Sequence, residues 1–456
     1  MTSIHIIGAG LSGSLLGILL AKKGWDVQIF ERRPDRRKES VEAGRSINLA
    51  VSVRGMTALA EAGLNADIQA IATKMQGRMN HPLGSGPVSM RYSVNEENGL
   101  FSVSRGRLNE MLMDAAEKAG AKIFFKEQCE DIDFDANTLT FLNTETQTTH
   151  QVAFERVVAC DGANSAIRKA MTRNPEFQHT QDAFPVNYKE LCIPADGKGE
   201  FLMDPNWLHI WGRDNGDFMM IALPNLDGSF TCTLFMPVSG EKSIASLNTP
   251  EKVQPFFETY FPDVLPLMPS LMTDYFSNPT SPLNIVKCYP WRVGEKMALV
   301  GDACHAVVPF YGQGVNASFE DCIELSKCID QYFPDWEKVF EQYQLNRKAN
   351  SDAISQMAAE NYADMAKSGM LEFQLRKSLE LELEKRFSSY KSQYELVSFS
   401  TVPYSQAQQQ GWKNQDTLTQ IIENLASVKE KGLENALQNV GVKALVAEVN
   451  WEEVAI

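Results

Sequence analysis

The sequence predicts an α/β protein in which a parallel-sheet domain made of two chain segments is interrupted by an inserted antiparallel sheet and followed by a helical C-terminal region. Three observations carry this expectation. The apolar run Ile4 to Ile7 ends in a glycine cluster, then gives way to helix-spaced Leu15, Ile18, Leu19 and Ala21 and a second strand at Val27 to Phe30. Buried-strand patterns recur far downstream, Arg156 to Ala159 ending in Asp161-Gly162 and Met297 to Val300 ending in Gly301-Asp302. Between them, from about Ala183 to Tyr289, the periodicity changes to two, with Leu208 to Trp211, Phe218 to Leu223 and Phe230 to Met236 joined by Asp/Asn/Gly turns. The corresponding boundaries are 1–182 and 290–330 for the parallel-sheet domain, 183–289 for the inserted sheet and 331–456 for the helical region.

Strand, glycine turn, helix and second strand form the phosphate-cradling arrangement of a Rossmann-like domain. Gly8 makes the tight turn, Gly10 lets backbone approach a pyrophosphate, and Gly13 packs helix on strand. Phosphate then sits at the helix N-terminus, beside Leu11 and Ser12. Glu31 ends the second strand, roughly 20 residues on, where an acid can hold a ribose hydroxyl.

Composition narrows the function. At 456 residues and 44% hydrophobic content, two closely packed cores are expected. A formal charge of −15 argues against a nucleic-acid partner. The one basic cluster, Arg32, Arg33, Arg36, Arg37 and Lys38, adjoins the glycine turn, so local phosphate contact or plain solvation explains it. Eight cysteines without a C-x-x-C pair read as reduced thiols. No run approaches the ~20 apolar residues of a membrane span, and the turn at Gly8 leaves no room for a signal peptide, so a cytoplasmic protein is expected.

Arg45, after Gly44, either contacts the nucleotide or pairs with a surface acid. Arg54 to Leu64 reads as a short helix. Arg78 lies among apolar or small neighbours in an extended stretch, Met75 to Tyr92, broken by Pro82, Gly84, Gly86 and Pro87. Ser104 opens a helix to Ala119, with a strand at Lys122 to Phe125. Gly312-Gln313-Gly314-Val315-Asn316 starts a helix whose N–H groups and positive dipole end point past Asp302. His305 reads equally as a packed residue and is not a catalytic candidate. Trp336 to Lys367 and Met370 to Arg386 are expected helices, and the polar, helical tail after Ala407 names no chemistry.

The ordered set of Gly8/Gly10/Gly13 with Glu31, Asp161-Gly162 and Gly301-Asp302 resembles the FAD-dependent aromatic hydroxylases with a single dinucleotide-binding domain, the para-hydroxybenzoate-hydroxylase-like fold. More closely, Phe30 to Asp35, Gly44 to Ala50, Ala222 to Asp227 and Glu360-Asn361-Tyr362 are similar to the kynurenine 3-monooxygenase family, over nearly the whole chain to about Gln406. The resemblance implies FAD and NADPH as cofactors, with L-kynurenine and dioxygen converted to 3-hydroxy-L-kynurenine and water through a flavin C4a-hydroperoxide, in tryptophan catabolism. Chemistry borne by the flavin explains the absence of a metal-ligand set and of a nucleophile–base pair. NADPH is expected to dock transiently on the flavin domain, since no second G-x-G-x-x-G follows a strand.

By the same resemblance Arg32, Arg45, Arg105 and Asp302 contact FAD, as do Gly162, Gly301, Gly312, Gly314, Val315 and Asn316, and the Asp161 motif serves both FAD and NADPH. The substrate's α-carboxylate falls to Arg78 and Tyr92, with Asn361 nearby; a guanidinium fork suits a planar carboxylate. Leu208, Met219, Ile221, Leu223 and Phe235 match pocket-wall positions, although from pattern alone sheet core is the commoner explanation of such residues. Phe310, Tyr311, Asp364, Met365 and Tyr404 complete the expected substrate site. Two positions depart from the family. Asp364 replaces a glutamate, and Tyr311 stands where relatives carry His or Phe. A hydroxylase of another aromatic acid, and a flavin-binding ligand sensor without turnover, stay open as alternatives. Eukaryotic relatives carry a C-terminal membrane segment; Asp416 to Ile456 is too polar for one, so no anchor is expected. A homodimer is an admissible assembly that no residue argues for.

Overall fold

The computed structural model describes residues 3–39, 48–367 and 370–454. The chain forms two compact units: residues 1–72, 103–184 and 282–358 in the first, 73–102, 185–281 and 359–456 in the second.

The first unit is built on a six-stranded sheet in the order Arg292–Val293, Met297–Leu299, Arg156–Ala159, Ser3–Ile7, Asp26–Glu31, Lys122–Phe125. Only the pairing of Arg292–Val293 with Met297–Leu299 is antiparallel. Strand Ser3–Ile7 lies near the centre, and its residues 4–7 are buried on both faces, which is why it reads as an unbroken apolar run rather than an alternating one. Helices Leu11–Lys22, Arg105–Ala119 and Gly314–Tyr332 pack together in this unit. A separate antiparallel sheet, Glu127–Asp133, Thr138–Asn143 and Thr149–Ala153, completes it.

In the second unit, strands Trp207–Arg213, Phe218–Pro224 and Phe230–Pro237 form the expected antiparallel meander. Residues 186–193 of the long strand Gln178–Ile193 extend it on one side. On the other side lies Gly77–Asn80, which the sequence assigned to the parallel-sheet domain. It pairs in parallel with Trp207–Arg213 and in antiparallel with Val88–Arg91, so its backbone hydrogen bonds belong to this sheet. The inserted segment also holds two helices that period-two patterning does not show, Pro250–Tyr260 and Leu271–Ser277. They cover one face of the sheet, where Trp211, Phe218, Met220, Phe230 and Leu234 join Val253, Phe257 and Leu271 in an apolar cluster.

The tail helices Leu371–Arg386, Tyr404–Asn424, Leu433–Asn439 and Val442–Ala447 share a core of Leu375, Leu379, Leu383, Leu418, Ile422 and Leu445. Among the described residues, no helix is long and apolar enough to cross a membrane.

Candidate cofactor and substrate sites

Sheet order in the first unit does what sequence distance conceals. Strands 297–299, 156–159, 3–7 and 26–31 are parallel neighbours, so Gly301-Asp302, Asp161-Gly162, the glycine turn and Glu31 emerge side by side at one carboxyl edge. That edge is where open α/β sheets bind ligands.

At the turn, Gly8 has φ +100°, and a Cβ on it would lie 2.6 Å from the Cys160 carbonyl oxygen. A Cβ on Gly13 would lie 1.9 Å from the Gly8 carbonyl oxygen, whereas one on Gly10 would meet nothing within 4 Å. Gly8 and Gly13 are thus demanded by the fold itself, and Gly10 leaves open space above the start of helix Leu11–Lys22. That helix has no acidic residue in its first turn and no side-chain cap, so its orphan N–H groups stay available to an anion. These residues fit a dinucleotide.

Glu31 is 5% exposed; its Oε2 accepts the Ala9 N–H at 2.9 Å, and its Oε1 accepts the Arg33 N–H at 3.0 Å and Nε–H at 2.8 Å. The acid therefore braces the turn. Glu31→Ala should lower the flavin-to-protein ratio after dialysis, with FAD bound about tenfold to a hundredfold more weakly, because a charged acceptor is worth about 1.5–3 kcal/mol. Unchanged FAD retention would remove Glu31 from the cofactor site. The neighbouring basic cluster is largely spoken for by acids: Arg36 pairs with Glu110 at 3.2 Å, and Arg37 with Asp35, Asp114 and Glu117 at 2.6–2.8 Å. Arg32 is exposed. Arg45 lies outside the described residues.

Beside the turn, Asp161 Oδ2 accepts the Ala166 N–H at 2.8 Å, and burial raises its pKa. Asp302 is likewise raised by burial, opposed by the charges of Arg105 and His305. Arg105 is exposed at the first position of its helix. Gly312 has φ +65° just before helix Gly314–Tyr332, which carries Val315 and Asn316 in its first turn. The Asn316 side chain is committed to backbone: Oδ1 accepts the Ser52 N–H at 2.9 Å, and Nδ2 donates to Ala50 O at 3.0 Å and Gly312 O at 2.8 Å. What Asn316 can offer a cofactor is its backbone. Phe310 and Tyr311 are buried in the turn Pro309–Tyr311, with the Phe310 ring 5.5 Å from Phe184.

Sequence reasoning missed the charge network beneath Gly301. Asp321, fully buried, accepts the Gly301 N–H at 3.1 Å and the Arg347 Nε–H at 2.7 Å, and is hydrogen-bonded to His305. Burial alone would depress the His305 imidazole, but Asp321 raises it overall. Glu320 bridges Arg54 at 2.6 Å and Arg347 at 3.0 Å. Cys304, His305 and Asp321 lie close enough to suggest a metal. The carboxylate is already engaged by Arg347 and a backbone N–H, so this is an ion-pair network.

In the second unit, strand register sorts the expected wall residues. Arg78 pairs with Leu208, and Gly212 with Met219 with Phe235, so these share one face of the sheet. Ile221 and Leu223 join Met219 there by alternation. The face packed on the two helices belongs to Trp211, Phe218, Met220 and Leu234. The end of helix Trp336–Ala366 lies against the Arg78 face, since a Cβ on Gly212 would lie 2.2 Å from the Ala366 carbonyl oxygen. This helix end carries Asn361, Asp364 and Met365.

Arg78 is 8% exposed, its guanidinium carbon 4.9 Å from the centre of the Tyr394 ring. Tyr92 stacks on Tyr394 at 5.5 Å, and burial pushes its hydroxyl pKa well up. Asp364 is exposed, yet its surroundings desolvate the carboxyl enough to raise its pKa, opposed by Lys377 and Arg78. Tyr404, expected in the site, starts helix Tyr404–Asn424 and is fully buried. The tyrosine found against Arg78 is Tyr394, in a polar stretch whose pattern marks nothing. A cavity of about 650 Å³ in the first unit, lined by Arg173, Phe177, Tyr289, Arg292 and Glu341 among others, includes none of the expected site residues.

Comparison with known proteins agrees with this fold. The family described as FAD binding domain matches residues 1–358. Among solved structures, the tetrameric form of 2-methyl-3-hydroxypyridine-5-carboxylic acid oxygenase superposes with a TM-score of 0.66 at 18% identity, covering 84% of this chain and 98% of its own. The p-nitrophenol 4-monooxygenase of Pseudomonas putida DLL-E4 gives 0.63 at 16%, covering 85% and 95%. Fold and edge define an FAD-binding protein of the aromatic-hydroxylase fold. Kynurenine 3-monooxygenase of Dictyostelium discoideum is 46% identical over 435 residues, covering 92% of this chain and 93% of the relative, and that of Myxococcus xanthus is 44% identical over 439 residues, covering 96% and 94%. The chain belongs to the kynurenine 3-monooxygenase family.

Proposed function

We propose that the protein hydroxylates L-kynurenine to 3-hydroxy-L-kynurenine, consuming one NADPH, one proton and one dioxygen and releasing NADP⁺ and water. FAD, when bound, supplies the redox and oxygen-activating chemistry. The chain's task is to hold the cofactor at the carboxyl edge of the first unit, position the substrate and exclude water. One observation carries the substrate reading: a buried arginine, Arg78, sits under Tyr394 on the sheet face opposite the apolar core, with Leu208 as its strand partner. Its planar fork suits an α-carboxylate. Asp364, within electrostatic reach of Arg78, supplies the opposite charge that the ammonium of a zwitterionic amino acid calls for. Leu208, Met219, Leu223 and Phe235 offer apolar area to an aromatic ring. The buried thiols of Cys129, Cys160, Cys232, Cys288, Cys304, Cys322 and Cys328 support a reducing, cytoplasmic setting.

The test is NADPH oxidation and oxygen uptake with and without L-kynurenine, with the product identified by chromatography. Kynurenine should accelerate NADPH oxidation and yield 3-hydroxy-L-kynurenine. A protein that binds FAD but shows no substrate-dependent oxygen uptake is a sensor. Tyr311 and Asp364, the two departures from the family, favour a second comparison within the same assay, in which a preference for another aromatic acid would replace kynurenine as the substrate.

A further inference from the structure

The tail after Ala407, which names no chemistry by sequence, reaches the Arg78 cluster through backbone. Tyr394 rides on the short helix Gln393–Ser398. Ser392 caps that helix, its Oγ accepting the Glu395 N–H at 3.1 Å, and is itself 5% exposed. The two residues ahead of the helix are gripped from two separate elements. Glu384, in helix Leu371–Arg386, accepts the Ser392 N–H on Oε1 at 2.8 Å. Asn414, in helix Tyr404–Asn424, donates from Nδ2 to the Lys391 carbonyl oxygen at 2.8 Å, and its own Oδ1 is oriented by Gln410 Nε2 at 2.9 Å. Glu384 and Asn414 are 6% and 3% exposed, so water does not readily replace either bond. The tail helix comes close at this point, since a Cβ on Gly411 would lie 2.2 Å from Gln393 Nε2. On its far side the short helix meets residue 98, where Asn98 Nδ2 donates to Glu395 Oε1 at 3.0 Å.

We propose that Glu384 and Asn414 are positioning residues that clamp the backbone of residues 391–392 and thereby fix Tyr394 against Arg78 and Tyr92. The proposal rests on the substrate reading above for its kinetic consequence and on hydrogen bonding alone for its structural one. A helix of six residues has little stability of its own, so its place is set by its cap and its docking bonds. A displaced Tyr394 uncovers the Arg78 guanidinium and loosens the end of the site that holds the amino-acid group.

Two measurements on the full-length, FAD-loaded protein decide it, with Glu384→Ala, Asn414→Ala and the conservative Glu384→Gln, which keeps an acceptor for the Ser392 N–H. In hydrogen exchange, both alanine variants should speed amide exchange of residues 391–398 by about fivefold to tenfold, the scale of one lost buried hydrogen bond, while residues 3–31 keep wild-type protection. In steady-state kinetics, the same variants should raise KM for L-kynurenine by about fivefold to tenfold and release more hydrogen peroxide per NADPH. FAD content should be unchanged, and Glu384→Gln should restore both readouts towards wild type. Unaltered exchange at 391–398 in both alanine variants overturns the clamp. Faster exchange with wild-type KM and coupling overturns the positioning role, since the clamp would then have opened without consequence for the substrate. If the wild-type protein itself ignores kynurenine, the substrate reading falls, and the exchange experiment alone decides the clamp.

Discussion

Arg78→Lys should raise KM for L-kynurenine by about tenfold to a hundredfold and increase hydrogen peroxide formed per NADPH consumed, with FAD content unchanged. The reasoning starts from geometry. Lysine keeps the positive charge but loses the two-pronged donor that matches a carboxylate, and hydrogen bonds to charged groups are worth about 1.5–3 kcal/mol. It also loses the flat cation that lies 4.9 Å from the centre of the Tyr394 ring. Orientation then adds to the loss, because a ring held at the wrong angle reacts slowly while reduced cofactor continues to meet oxygen. Arg78→Ala should be worse in both respects, and its melting temperature must be measured beside KM, since removing a buried cation leaves the nearby Asp364 less compensated. If both variants keep wild-type KM and product-to-NADPH stoichiometry, Arg78 is not the carboxylate partner and the proposed substrate site is wrong.

The second large effect separates two glycines three residues apart. Gly13→Ala should weaken FAD binding by about tenfold to a hundredfold and lower the melting temperature of the apoprotein, because its methyl would sit 1.9 Å from the Gly8 carbonyl oxygen and the turn must open to admit it. Overpacking of this kind costs about 1–3 kcal/mol. Gly10→Ala should weaken FAD binding too, yet leave the apoprotein's melting temperature at the wild-type value, since a Cβ there meets no protein atom within 4 Å. Flavin titration and apoprotein melting curves, run side by side, test the pair. Equal destabilisation by both substitutions would contradict the distinction between a glycine the fold needs and one the ligand needs.

Local signals are legible where chain and contact coincide. The glycine turn, the second strand and the antiparallel meander all announce themselves through periodicity and turn residues. Legibility declined where partners come from afar. The strand Gly77–Asn80 has too short a pattern to reveal its sheet, which only its backbone pairing with Trp207–Arg213 decides. Period-two alternation does not reveal helices Pro250–Tyr260 and Leu271–Ser277, although Phe256, Phe257, Leu271 and Tyr275 are spaced to cover a sheet. Asp321 looks like any helical acid until Arg347, His305 and the Gly301 N–H close on it.

By itself, then, the sequence determined that a dinucleotide turn opens the chain, that acids end strands at 31, 161 and 302, and that Arg78 is an unusual charge among apolar neighbours. These are local facts, since strand, turn and helix patterns repeat within a few residues. Only the tertiary structure decided that three fingerprints separated by more than a hundred residues share one sheet edge, because strand order is set by burying parallel strands between layers of helix. It alone decided that Met219 and Phe235 lie on the Arg78 face rather than in the helix-covered core, because a one-residue slip in register exchanges the two faces of a strand. It alone put Tyr394 against Arg78, because a cation–ring contact across 316 positions depends on how separate elements pack and leaves no periodic trace in either segment.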